Sequence, residues 1–249
     1  MQLKVCTYNI HKGFSQFNRR MVVHELRERL RSLDADLVFL QEVQGLHVRH
    51  ERAHADWPAH PQHEFLAEDI WHQTAYGQNA VYDHGHHGNA ILSRYPIIST
   101  NNQDVSDHRF ERRGLLHCEI EVPSVAGPVH CVCVHLGLMA GSRRRQMDVL
   151  AARMEALACD SAALIIAGDF NDWRNHADNL LAQRLGMTEV FHSGNGKLAR
   201  SFPARNPVLS LDRIYVRGFQ VARADVHSGL PWSRISDHAA LTADLEYGG

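Results

Sequence analysis

Five short apolar runs in this chain adjoin side chains that bind a metal ion or move a proton. The run from Leu3 to Tyr8 ends in Asn9, and the run from Leu37 to Gln41 ends in Glu42. Val132-Cys133-Val134 ends in His135, and Leu164 to Gly168 ends in Asp169-Phe170-Asn171. The fifth group, Ser236-Asp237-His238, leads into Ala239-Ala240-Leu241. Buried strands tolerate polar groups poorly, so such residues collect where strands leave the core, along one rim of a sheet. Carboxylates, amides and histidines on one rim suit metal-assisted hydrolysis.

Each group carries its own chemistry. Glu42 follows an apolar strand, where an ionised carboxylate is costly without a cationic partner. A hard cation such as Mg²⁺ would serve, since it prefers oxygen and usually takes one or two carboxylates. Asn9 adds a carbonyl ligand from a neighbouring strand; an ordinary hydrogen-bonded buried pair is the alternative. Gly168 permits a tight strand exit, and alternation places Asp169 and Asn171 on the same side, although Asp-x-Asn also caps turns. A histidine takes a proton from water when a carboxylate fixes its tautomer, and both Asp237 and Asp212, just before a strand, supply one for His238. His135 can donate to an oxyanion.

These groups need a frame. Strand-like segments alternate with helix-like ones along the chain, with no low-complexity linker. Arg19 to Leu33 reads as an amphipathic helix with Met21, Val22, Leu26 and Leu30 as its apolar stripe. His63 to Trp71 reads as a helix after an ambiguous stretch from His47. Hairpins are expected from Ala75 to Thr100, and antiparallel strands at 114–122 and 129–135 around the turn Ala126-Gly127-Pro128. Ser142 is the expected cap of a helix to Cys159, and His176 to Leu185 a helix stopped by Gly186. Strands close the chain at 213–216, 219–226 and 239–246. Helices too few for a full βαβ series point to two facing sheets flanked by helices, a four-layer α/β sandwich in one domain over 1–249.

The ordered set is more specific than any member. Thr7-Tyr8-Asn9-Ile10, Leu40-Gln41-Glu42-Val43, Gly88-Asn89-Ala90-Ile91-Leu92-Ser93-Arg94, Val134-His135-Leu136, Gly168-Asp169-Phe170-Asn171, Leu211-Asp212-Arg213-Ile214 and Ser236-Asp237-His238 follow in that order. From Thr7 to His238 the chain resembles the endonuclease/exonuclease/phosphatase superfamily, the DNase I-like hydrolases. The resemblance implies the two-sheet sandwich and Mg²⁺- or Mn²⁺-dependent hydrolysis of a phosphate ester. It implies Glu42 as main metal ligand with Asn9 and Asp237, and His238 oriented by Asp212 as general base. Asp169 would be a second acid/base or metal-side carboxylate, with Asn171 and His135 holding the scissile phosphate. Asn89, Arg113 and Arg143 are candidate substrate or phosphate contacts.

Two positions depart from one branch. Abasic-site endonucleases of the superfamily read Asn-x-Asp in the first motif, where this chain has Asn9-Ile10-His11, and they lack the histidine of Val134-His135-Leu136. The histidine form is similar to the DNase I, sphingomyelinase and inositol-phosphatase branches, which turns the expectation away from abasic-site repair.

Composition bounds the partners. A net charge of −2 gives no basic track for a nucleic-acid polymer, and arginines cluster only at Arg112-Arg113 and Arg143-Arg144-Arg145. The substrate expectation is therefore a small, lipid-linked or nucleic-acid phosphodiester, with a DNA or RNA nuclease as the main alternative and a phosphomonoesterase or a non-catalytic binding module behind it. No obligate protein partner is evident, and no run approaches the ~20 apolar residues of a membrane span. With a strand pattern from Leu3, a cytoplasmic location is the expectation. Five cysteines without CxxC spacing read as reduced, buried thiols. Ten of the nineteen histidines fall between His47 and His108 and are expected in exposed loops; those of Asp83 to Gly88 form a polar loop at a cleft mouth.

Overall fold

The computed structural model describes residues 1–16, 20–159 and 161–248, apart from the side chains of Asp178 and Asn195. Its first sheet is built from β1 (Gln2–Asn9), β2 (Leu37–His47), β3 (Gln73–Tyr82), β4 (Gly85–Ser93), β11 (Phe219–His227) and β12 (Ala240–Tyr247), in the order β11-β12-β1-β2-β4-β3. Its second contains β5 (Ile97–Asp104), β6 (Gly114–Ile120), β7 (Val129–His135), β8 (Leu164–Asp169), β9 (Thr188–Glu189) and β10 (Asp212–Arg217), in the order β5-β6-β7-β8-β10-β9. The pairs β1–β2 and β7–β8 are parallel and the other pairings antiparallel, so both sheets are mixed.

Alternation along the strands sends one set of side chains between the sheets and the other under the helices. Val5, Phe39, Ile91, Cys131, Cys133 and Ile165 meet in the middle. Cys6, Val38 and Leu40 face outward beneath α1 (Val23–Leu33) and α3 (Gln62–Ala67), meeting Leu26, Leu30 and Leu66. Val132, Val134 and Ile166 pack under α4 (Ala140–Leu157) and α5 (His176–Leu185) through Leu150, Met154 and Leu181. Two short helices, α2 (Val48–Ala53) and α6 (Val190–Asn195), complete the set. The result is the expected four-layer sandwich.

Register carries the chemistry. Asp169 lies opposite His135 on β7 and opposite Asp212 on β10, so three adjacent strands hold these side chains at one level. Gly168 makes this approach close: at φ +146°, any Cβ there would collide with the Val134 carbonyl oxygen.

Several expectations shift. Glu42 does not end its strand: β2 continues to His47, and its register against β4 slips between Leu40 and Val43. Glu42 takes the left-handed conformation at this bulge, φ +57°, which re-aims its side chain. The helix predicted from Arg19, which lies outside the described residues, begins at Val23. Ser142 is not a cap; α4 starts at Ala140, and Ser142 donates from its first turn to Asp107 at 2.7 Å. Cys159 is exposed, while the other four cysteines are buried thiols. Of the ten clustered histidines only His60, His72 and His108 are exposed, because the segment folds into α2, α3 and the β3–β4 hairpin. There the rings pack on one another: His47 stacks on His50 with centroids 3.7 Å apart, and His50 on Trp57 at 5.0 Å.

Candidate active site

At the rim where β1, β7 and β8 end, a chain of buried polar contacts runs between the sheets. Asp212 Oδ2 and His238 Nδ1 are 2.7 Å apart, and His238 Nε2 faces Asp169 Oδ2 at 3.8 Å. That same Asp169 oxygen accepts the Asn9 amide at 3.1 Å and lies 3.5 Å from His135 Nε2. Its other oxygen accepts the Asn171 backbone N–H at 2.9 Å, in an Asx turn that fixes Asn171 at φ +49°. The Asn171 side chain donates to the Leu136 carbonyl at 3.0 Å, as does Arg113 Nε at 3.1 Å. Ser236 locks the fifth motif onto the first, donating to the Asn9 carbonyl at 2.7 Å and accepting the His238 N–H at 3.2 Å.

Burial and charge set the proton balance. Burial works against an imidazolium at His238, but Asp212 and Asp169 outweigh it and lift the ring to about 10. Burial is the main reason Asp169 is raised to about 7; the His238 charge opposes it and Asp212 adds to it. His135 is driven well below the usual histidine range by burial and then by the Arg113 charge, so it is a neutral ring. The ligand atoms of Asp169, Asp212 and His238 lie within 4.8 Å of one another, a spacing that would admit an ion. The 2.7 Å contact between Asp212 and His238 equally suits the trio to proton handling.

The second part of the site is built by the turn after β1. His11 and Lys12 adopt φ +45° and +59°, and each turns towards one acid. His11 Nδ1 lies 3.3 Å from Asp237 Oδ1, and Lys12 Nζ lies 3.8 Å from Glu42 Oε2. Asn9 Oδ1 accepts the His11 N–H at 3.2 Å and keeps a second lone pair. Glu42, Asp237 and Asn9 thus offer oxygen donors alone, the donor chemistry of a hard divalent cation.

The family follows from comparison with known proteins. Residues 6–238 match the model of the endonuclease/exonuclease/phosphatase family. The chain belongs to that family. It is 46% identical over 245 residues, 97% of this chain and 95% of the relative, to the uncharacterized protein YbhP of Escherichia coli K12. Its fold is similar to an endonuclease/exonuclease/phosphatase from Bacteroides vulgatus, with TM-score 0.77, 15% identity and full coverage of both chains. It is also similar to the mannosyl-6-phosphatase Bt3783 of Bacteroides thetaiotaomicron, with TM-score 0.73, 15% identity, and 98% and 100% coverage of the two chains. Members of this endonuclease/exonuclease/phosphatase family are generally phosphoester hydrolases and typically depend on a divalent metal.

Within this family member, Asn9, His135, Asp169, Asn171, Asp212 and His238 form one contact network, with Asp237 and Glu42 joined to it through His11 and Lys12. Arg113 reaches its edge with its guanidinium held by Glu111 at 3.1 Å. Asn89 and Arg143 are engaged elsewhere. The buried Asn89 amide donates to the Gly114 and Cys133 carbonyls at 3.0 and 3.2 Å, tying β4 to the facing sheet. Arg143 donates to the Gly137 and Leu138 carbonyls and lies over Trp173, its centroid 4.6 Å away. The sequence pattern does not announce Lys12, and it places His87 only as part of a polar segment at the cleft mouth. The His87 ring is lowered to about 4 by burial first and the Lys12 charge next, with Glu42 opposing, which brings it to the Glu42 side of the site. Its place in the histidine-rich Asp83–Gly88 segment was the only signal.

No helix among the described residues is long and apolar enough to cross a membrane. A cavity of about 970 Å³ beside Arg20, Arg205 and Arg234 contains none of the site residues, so volume alone does not find the chemistry.

Proposed function

We propose that this chain is one domain acting as a Mg²⁺- or Mn²⁺-dependent phosphodiesterase in which the His238–Asp212 pair activates water. The observation that carries the reading is the 2.7 Å contact between Asp212 and His238 Nδ1, which leaves Nε2 as the ring's one free nitrogen, directed at the cleft and Asp169. That arrangement fixes the tautomer and orientation of a general base. Glu42, Asp237 and the Asn9 carbonyl would hold the cation, which when bound neutralises charge on the phosphate and lowers the pKa of a coordinated water. His238 at rest carries its proton, so Nε2 would first pass it to Asp169, 3.8 Å away and held in place by Asn9, before taking one from water. His135, a neutral donor, and Asn171 would contact the non-bridging phosphate oxygens, and Arg113 would reach the outer phosphate edge. Asn89 would act by holding β4 in register, and Arg143 by bracing the 137–139 loop.

The diester preference rests on charge: Lys12 and Arg113 are each already paired with a carboxylate, which suits a monoanionic diester better than a dianionic monoester. Nuclease activity is the second reading, favoured by the stacked rings of His47, His50 and Trp57, since bases stack on such faces. The test is hydrolysis of bis(p-nitrophenyl) phosphate against p-nitrophenyl phosphate, with Mg²⁺ or Mn²⁺ and with EDTA. Faster diester turnover that EDTA removes is expected. Turnover undiminished in EDTA, or a monoester preference, overturns it; cleavage of plasmid DNA in place of the small diester promotes the nuclease.

A further inference from the structure

Beside the site lies a cavity of about 600 Å³ whose walls reach His87 and Arg113. Four chain segments line it, and three of them present large apolar side chains outward. Val81 at the end of β3 is 67% exposed, Phe110 82%, Leu138 57% and Met139 65%. These are not frayed ends. His108 and Glu111 form an antiparallel bridge with the Glu111 N–H on the His108 carbonyl at 3.3 Å, so Arg109 and Phe110 sit at the tip of a tight turn. The Leu138 N–H is fixed on Glu111 Oε1 at 2.9 Å, and its carbonyl accepts Arg143. The backbone is pinned while the side chains face water, which is unfavourable unless something covers them.

Charge identifies the cover. Arg109 and Arg112 are exposed on the same cavity, the Arg109 guanidinium 4.7 Å from the Phe110 ring centroid. Arg113 is paired with Glu111 at 3.1 Å and the exposed Arg112 only loosely with Asp104 at 3.7 Å, so the surface carries an excess of one cation, Arg109, on a chain whose net charge is −2. Arginines beside outward apolar side chains match a surface that is anionic at its face and apolar beneath. Phe110 and Tyr82 offer exposed rings, but Val81, Leu138 and Met139 beside them are aliphatic and give a base nothing to stack on, which favours an apolar layer over a nucleic-acid platform.

We infer that Phe110, Leu138, Met139 and Val81, with Arg109 and Arg112, form a docking surface for an anionic phospholipid bilayer. Docking there brings the adjoining cleft to the headgroup layer, so the phosphodiester presented to the site is that of a membrane lipid. That last step rests on the phosphodiesterase reading; the docking itself does not.

The experiment is co-sedimentation of the full chain with phosphatidylcholine vesicles, with and without phosphatidylglycerol. Wild type is expected to partition onto the phosphatidylglycerol vesicles and to come off as salt is raised. The double variant Phe110→Ser, Met139→Ser is expected to lose at least tenfold in partition coefficient, from the apolar area it removes. Arg109→Gln with Arg112→Gln is expected to lose about tenfold, on anionic vesicles alone. All variants should keep wild-type hydrolysis of soluble bis(p-nitrophenyl) phosphate if that activity is present, and wild-type thermal unfolding in any case. Absence of wild-type partition, equal partition of the Phe110/Met139 variant, or displacement by a single-stranded oligonucleotide overturns the inference. Failure of soluble-diester hydrolysis strikes the phosphodiesterase reading instead and leaves the partition result intact.

Discussion

Asp169, Asp212 and His238 are 2%, 0% and 9% exposed and joined through one hydrogen-bonded network, whereas Glu42 and Asp237 are 21% and 19% exposed and face Lys12 and His11 at 3.8 and 3.3 Å. The first group is held by side-chain hydrogen bonds inside the fold. The second is held by backbone shape: a β-bulge at Glu42 and two left-handed residues at His11 and Lys12. Non-glycine residues with φ near +50° each cost of order 1–3 kcal/mol and cluster where function needs them. On the proposed reading, proton transfer belongs to the buried group, where charge interactions are strong, and cation capture to the half-exposed one, where desolvation is cheap.

The largest effect should come from the buried group. His238→Ala is expected to lower kcat on bis(p-nitrophenyl) phosphate by about 10³-fold or more, and Asp212→Asn by about 10²-fold, since the latter keeps the ring but loosens its tautomer. Equal kcat for Asp212→Asn and wild type would detach the pair from the reaction. Gly168→Ala comes next, because its Cβ meets backbone that cannot give way. It is expected to cost about 2–3 kcal/mol of stability and most of the activity by displacing Asp169. Chemical denaturation showing an unchanged midpoint would contradict the close packing of β8 on β7.

On the half-exposed side the effects are smaller. Lys12→Met removes the cation paired with Glu42 and should tighten Mn²⁺ by about two- to fivefold. Weaker Mn²⁺ binding in that variant would mean that Lys12 assists the cation rather than competing with it. The smallest effect lies away from both groups, at His117 on β6 and His130 on β7, whose ring nitrogens are 3.0 Å apart. Burial, then the His130 charge, lowers His117 to about 4, and burial lowers His130 too. An unfolded histidine titrates near 6.5, so between these values the unfolded chain binds more protons. The stability this pair contributes is therefore complete above about pH 6.5 and falls as pH drops towards 4. Urea midpoints at a series of pH values should show that decline, to which His87 and His135 also contribute, and His117→Gln should make it shallower.

The parts most legible in the sequence were those fixed by local pattern. Apolar runs ending in Asn9, His135 and Asp169 gave the strands β1, β7 and β8 and the residues at their ends. The stop at Gly186 was read correctly because it lies in the left-handed region at φ +62°. Glu42 was read as a strand end because a bulge has no composition signature of its own; only pairing with β4 shows it. Lys12 was missed because it reaches the site through tertiary approach, with no spacing to announce it, and His87 was placed at the cleft mouth only as one of a histidine-rich segment. Asn89 and Arg143 looked like phosphate contacts by residue type, but backbone carbonyls from other segments take the Asn89 amide and Arg143 Nη1. Histidines between His47 and His108 looked like loop surface because their packing partners, such as Trp57 and Tyr76, become neighbours only in the folded chain.

The division of labour between the two groups is tested most directly by calorimetric titration of Mn²⁺ into wild type, Glu42→Ala and His238→Ala. The account predicts a saturable binding heat in wild type, its loss in Glu42→Ala and its retention in His238→Ala, although neither variant turns over substrate. Retained binding in Glu42→Ala together with lost binding in His238→Ala would contradict it, placing the cation in the buried group instead.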